Sequence, residues 1–267
     1  MGVINVTPDS FSDGGRYLDP QAAVAHGREL AAQGADVLDV GGESTRPGAE
    51  PVPAGEELRR VIPVIEGLTA GGVHTDISID TTKLEVARGA LDAGARMVND
   101  VSAFRFEPGL AALVAEREAR CCLMHMLGEP RTMQQAPRYD DVVSDVKSFL
   151  VDRLEFAVSE GVPEGAVWLD PGIGFGKTVE HNLELLRRLG EIVAIGPPVV
   201  VGTSRKSFLG KLAGGRGEDD SLPGTIATSV LALERGAEVF RVHDVAEVVD
   251  ALAVASATVG PDMGAGA

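Results

Sequence analysis

Short apolar runs recur along the chain, and each is followed by a longer stretch whose apolar positions repeat at helical spacing. The runs occupy 2–6, 37–40, 76–80, 97–99, 121–125, 167–169, 199–202 and 239–242. Their length and β-branched content predict eight strands. Helices are predicted from Pro20 up to Gly34, and over 56–68, 110–118, 141–159, 179–189 and 246–259. A third helix starts near Thr82, where Thr82 and Glu85 fit a capping box. Asp19 is placed to cap the first helix, with Pro20 in its first turn. Gly34-Ala35, Gly94-Ala95 and Gly236-Ala237 each stand between a helix and the next strand. A glycine there ends the helix in the left-handed conformation. Regular β–α alternation over this length predicts a (β/α)8 barrel, with a doubly wound open sheet as the alternative. One domain is expected over 1–260, followed by a disordered tail at 261–267. The stretch 214–220 is expected to be a surface loop.

The position of the polar residues adds the first functional signal. Asn5, Asp39, Asp80, Asn99, His125 and Asp170 end or follow strands, as do Arg205-Lys206 and Arg241 with His243. In a barrel those ends meet on one face, where sites form. A single Asp or Asn after a strand is commonly a helix cap, but so many on one rim exceed what caps require. Arg46, Arg205, Lys206, Arg241 and His243 bring positive charge to that rim, which suits an anionic substrate. The segment 202–207 opens a helix, and its backbone N–H groups with Ser204, Arg205 and Lys206 suit a phosphoryl group.

Asp170 enters a turn with glycines at 172, 174 and 176. It is neither a Walker loop, since Pro171 stands where glycine is required, nor a dinucleotide loop, since Lys177 does. Asp80, Asn99 and Asp170 together offer the donors and acceptors that read a guanidine-like heterocycle. No paired-histidine spacing suggests zinc. Magnesium carried by a substrate phosphate fits better, and Asn5, Asp9 and Asp13 could supply oxygens.

Composition narrows the classes further. A formal net charge of −16 argues against nonspecific nucleic-acid or acidic-membrane binding. The two cysteines, Cys121 and Cys122, are adjacent in an apolar run and read as buried thiols. No apolar stretch is long enough for a bilayer, and Gly2-Val3-Ile4 follows Met1 without a basic segment. A cytoplasmic location is expected.

Several stretches resemble one family, dihydropteroate synthase. They are 5–15, 41–48, Asp80-Thr81, 99–102, 124–126, 170–177, 204–207 and 241–244, in that family's order over almost the whole chain. The resemblance implies a (β/α)8 barrel, a homodimer, and the sulfonamide target of folate biosynthesis. The implied reaction joins 6-hydroxymethyl-7,8-dihydropterin pyrophosphate to p-aminobenzoate and releases pyrophosphate with Mg2+. Carried over, Asp80, Asn99, Asp170 and Lys206 would hold the pterin, and Val101, Met124, Phe175 and Gly202 would line its pocket. Thr45, Arg46, Arg241 and His243 would bind pyrophosphate. Asn5 and Asp13 would contact the metal. Phe11, Pro47, Phe175, Lys206 and Ser207 would frame the aminobenzoate. Catalysis would rest on Asp170, Lys206, Arg241 and His243, with Asp170 stabilising charge on the pterin methylene and the bases stabilising the leaving group. The first two loops are expected to be mobile covers over the site.

The family commonly has a short segment before the first strand. Its absence here implies either an earlier start or a less covered closed end. Two other readings are a methyltetrahydrofolate–corrinoid methyltransferase and a silent pterin-binding paralogue. The loops at 10–15 and 204–207 argue against the first, which needs no pyrophosphate site.

Overall fold

In the second and third strands polar and apolar residues alternate, and the apolar set faces the helices. Ile77 and Ile79 of β3 (Asp76–Asp80) join Leu38 and Val40 of β2 (Val37–Gly41) in one cluster with Val61, Ile65 and Leu68 of α2 (Ala54–Ala70). Asp39 and Ser78, between those apolar positions, are register partners on neighbouring strands and lie on the opposite, inner face. The sheet is therefore clothed by helices outside and lined by polar groups inside.

The computed structural model describes residues 1–7, 20–45, 48–215 and 221–259. After β1 (Gly2–Asn5) come α1 (Pro20–Ala32), β2, α2, β3, α3 (Leu84–Asp92), β4 (Met97–Asp100), α4 (Gly109–Glu116) and β5 (Arg120–Met124). Then follow α5 (Val142–Ser159), β6 (Val167–Asp170), α6 (Val179–Arg187), α7 (Gly190–Val193) and β7 (Val200–Val201). The chain continues through α8 (Ser207–Leu212), α9 (Leu222–Glu234), β8 (Val239–Phe240) and α10 (Val245–Val259). Strands β1 to β6 form one parallel sheet in sequence order, and β7 pairs with β8. Two single bridges close the wall, Leu169 to Val199 and Gly2 to Val242. At the second, Val3 N–H donates to the Val242 carbonyl at 3.1 Å and Val242 N–H to that of Met1 at 2.9 Å. The closed ring is the expected (β/α)8 barrel.

Below the polar lining, Met97, Cys122 and Val200 pack with Met1, Trp168 and Val239 and fill the closed end. The Arg120 guanidinium lies 5.1 Å from the Trp168 ring centre and pairs with Asp76. Cys121 belongs to the helix-facing layer and Cys122 to the inner one, so the buried thiols sit on opposite faces of β5. No helix among the described residues is long and apolar enough to cross a membrane.

The three Gly-Ala turns hold as expected. Gly34, Gly94 and Gly236 have φ of 100°, 115° and 91°. The alanine after each donates five residues back, to Leu30, Ala90 and Ala232, at 2.9–3.1 Å. The capping box at Thr82 does not form. Lys83 is the N-cap of α3 and makes no side-chain cap. The Leu84 N–H is taken instead by Glu107, from the next βα unit, at 2.7 Å. A tertiary partner satisfies the orphan donor, so the local motif is unused. The helix expected over 179–189 stops at Arg187. Helices α8 and α9 were not delimited in the sequence. Asp9, Asp19, the cover loop at 10–15, most of 214–220 and the tail lie outside the described residues.

Candidate functional site

Three strand residues and one arginine build the floor of the barrel mouth. Asp39 is fully buried on the inner face of β2, Asp80 ends β3, and Asn99 lies in β4. Arg241, just past β8, donates from Nε to Asp39 Oδ2 at 2.7 Å and from Nη2 to Asp80 Oδ2 at 2.9 Å. Asn99 donates from Nδ2 to the same Asp39 oxygen at 3.0 Å. Burial, with Asp39 close by, raises the Asp80 carboxyl well above the usual carboxylate range, against the pull of Arg241. Burial also opposes the Arg241 charge, but Asp39 and Asp80 outweigh it and raise its pKa. Arg241 was expected at the lip among the bases; here it lies across the acids of the floor.

The glycine loop after β6 forms one wall. Asp170 accepts from Gly172 N–H at 2.7 Å, and burial raises its pKa. Gly172, Gly174 and Gly176 have φ of 66°, 86° and 64°. A Cβ on Gly172 would stand 1.8 Å from the His125 carbonyl oxygen, so only glycine fits. Lys177 is 3% exposed and folds back into its own loop. It donates to the carbonyls of Gly172 and Phe175 at 2.9 and 3.0 Å and meets His125 Nδ1 at 2.9 Å. An amine that donates to several carbonyls of one loop fixes its shape. Burial lowers the Lys177 pKa; burial and Lys177 together push His125 down to about 2, so its imidazole is neutral. His125 therefore does not join the mouth as expected. It packs edge-on to Phe149 at 4.9 Å and serves the loop from behind.

Beside Asp170, Val101, Met124, Met126 and Met133 form a separate apolar cluster, with Phe175 against it. Three of these are the residues expected to line a ring pocket. Lys206 Nζ lies 4.6 Å from the Phe175 ring centre and donates to the Ile173 carbonyl. Burial lowers its pKa to about 8, although Asp170 opposes this. A Cβ on Gly202 would lie 3.7 Å from Arg241 Cβ and 4.0 Å from Lys206 Nζ, so this glycine stands between the two cations.

At the lip, His243 Nδ1 is 3.0 Å from Ser204 Oγ, which also accepts from His243 N–H at 3.1 Å. Arg205 turns outward to Asp244 at 2.6 Å. Ser207 is exposed at the start of α8, Asn5 is half-buried at the end of β1, and Thr45 is half-buried after β2. Phe11, Asp13, Arg46 and Pro47 lie outside the described residues. No cluster of three or more His, Cys, Asp or Glu suited to a metal occurs among the described residues. The amide oxygen of Asn5 is the hard donor type that magnesium takes.

Two groups stand out that the sequence did not mark. Lys83 pairs with both Glu43 and the fully buried Glu57, tying the loop after β2 to the loop after β3. Glu57 is helical and spaced like a core residue, and a charge at a core position was the available signal. Asp39 was visible as a polar strand end, but its two partners are far away in sequence.

Comparison with known proteins follows the same lines. The family model described as pterin binding enzyme matches residues 1–243. The dihydropteroate synthase of Mycobacterium leprae is 49% identical over 263 residues, covering 96% of this chain and 92% of its own. That of Escherichia coli K12 is 46% identical over 258 residues, covering 97% and 90%. Among solved structures, Xanthomonas albilineans dihydropteroate synthase with 4-aminobenzoic acid superposes with a TM-score of 0.90 at 50% identity, covering 96% of this chain and 91% of that one. The Yersinia pestis enzyme in a sulfonamide complex gives a TM-score of 0.91 at 42% identity, covering 96% and 92%.

Proposed function

The chain belongs to the pterin-binding enzyme family and catalyses the dihydropteroate synthase reaction, and on that premise we propose how its residues share the chemistry. A C–O bond breaks at the methylene of 6-hydroxymethyl-7,8-dihydropterin pyrophosphate. Pyrophosphate leaves with the electron pair. The amine of p-aminobenzoate forms the new C–N bond and gives up a proton. An aromatic amine needs no activating Ser–His or Cys–His pair once the methylene is electron-poor.

The observation that carries this reading is the floor in which Arg241 bridges Asp39 and Asp80 and Asn99 donates to Asp39, beside an apolar shelf. A pterin presents ring N–H and amino donors along one edge and two flat faces. Asp80, Asn99 and Asp170 accept from the edge, and Lys206 donates to its acceptors. Val101, Met124 and Phe175 cover the faces, and Gly202 leaves room between the cations. Asp170 stands closest to the charge that develops on the methylene and stabilises it. Arg241 and His243, with Thr45 and Arg46, receive the departing pyrophosphate. Phe11, Pro47, Phe175, Lys206 and Ser207 frame the aminobenzoate. A magnesium ion held by Asn5 and Asp13 would supply further positive charge against the leaving group. The same reading takes residues 1–260 as one working barrel, in a homodimer and in the cytoplasm.

Pyrophosphate release from both substrates with Mg2+ tests the assignment. Release that depends on both substrates supports it. Pterin binding without any release would make the chain a binding protein. Methyl transfer from methyltetrahydrofolate to a corrinoid acceptor would place it with the methyltransferases.

A further inference from the structure

Asp39 takes no direct part in the chemistry just described, yet it is one of the few carboxylates buried completely. One of its oxygens, Oδ2, holds both Arg241 Nε at 2.7 Å and Asn99 Nδ2 at 3.0 Å. The other, Oδ1, is buried with no hydrogen-bond partner among the described residues. A half-satisfied carboxylate inside a barrel is a poor choice for stability, and an apolar residue would cost less there. Across the sheet its register partners are Val3 and Ser78, neither of them charged. The reason for an acid at this position lies in what it does to its two partners.

An ionised carboxylate only accepts hydrogen bonds. Asp39 accepts from both Arg241 and Asn99 on Oδ2. Asn99 must therefore turn its NH2 toward Asp39, and its carbonyl oxygen is left for the opposite direction. Without that partner an asparagine amide can present either end. We propose that Asp39 is a specificity-determining positioning residue, which locks the Asn99 amide with its oxygen toward the mouth and so selects a heterocycle edge that bears N–H donors. The same oxygen aligns Arg241 from its Nε side, so one buried acid orients a ring-reading amide and a pyrophosphate-binding cation together. The inference rests on the proposed contact between Asn99 and the pterin.

A double-mutant cycle tests it. Asp39→Ala takes away the acceptor that holds the Asn99 amide and should weaken binding of 6-hydroxymethylpterin at least ~10-fold by calorimetry. Asn99→Ala removes the amide itself and should weaken binding similarly. In the double variant Asp39→Ala/Asn99→Ala no amide is left to orient, so its affinity should lie within ~3-fold of Asn99→Ala. A purely structural role for Asp39 predicts losses that add. The proposal is overturned if the double variant binds more than ~3-fold more weakly than Asn99→Ala, or if Asp39→Ala binds like the parent. If Asp39→Ala does not fold, Asp39→Leu, which fills the same space, takes its place in the cycle. Asn99→Ala separates the two levels. Unchanged pterin affinity there removes Asn99 from the site, whereas additive losses refute only the role of Asp39.

Discussion

Lys206 and Asp170 show how burial sets chemistry one side chain at a time. With Lys206 lowered to about 8 by burial, its ammonium is lost at mildly alkaline pH. Substrate affinity and kcat/KM should fall as pH rises through about 8, and Lys206→Arg should carry that limb upward, because guanidinium keeps its proton. A pH profile of pyrophosphate release measures both. The stability sign is opposite to the activity sign. Between pH 8 and the ordinary lysine range the unfolded chain binds the extra proton, so this group's contribution to stability rises with pH there. Asp170→Asn should lower turnover at least ~10²-fold in the same assay, through lost electrostatic stabilisation of the methylene. Asp80, Asn99, Asp170 and Arg241 were legible as a set because each breaks an apolar run at its end. His125 obeyed the same rule and yet turns away from the mouth, held by Lys177. Sequence places a residue at a strand end, but the packing behind the strand decides which way it turns.

At the scale of elements, the glycine loop and the Gly-Ala turns depend on backbone conformation more than on side chains. Gly172→Ala forces a Cβ onto the His125 carbonyl at positive φ and should cost at least ~1–3 kcal/mol of stability, with loss of pterin binding. Gly55→Ala, early in α2 with open space around it, should instead be neutral or stabilise by ~0.5–1 kcal/mol. Denaturant midpoints of the two variants make the comparison. The Gly-Ala turns were readable because glycine there answers a purely local need. The start of α3 was not, because Glu107 supplies its partner from 23 residues further on. No local motif anticipates a donor that another βα unit has already claimed.

For the whole molecule, β–α alternation announced the barrel, while the way the ring joins was invisible in the sequence. Six strands share continuous ladders, whereas β7 and β8 are attached on each side by a single bridge. The acids Asp39, Asp80 and Asp170 all stand on the six-stranded part, and the cations Lys206 and Arg241 follow the two-stranded part. Arg241→Met should speed amide exchange at Val3 and Val242 and leave β3 and β4 unchanged, as hydrogen-exchange mass spectrometry of the whole chain would show. Arg241 thus works as a clasp, fastening a narrow plate to a broad cuff. If Arg241 receives the leaving group as proposed, recognition of that anion and tightness of the wall share a single side chain, at the thinnest joint of the ring.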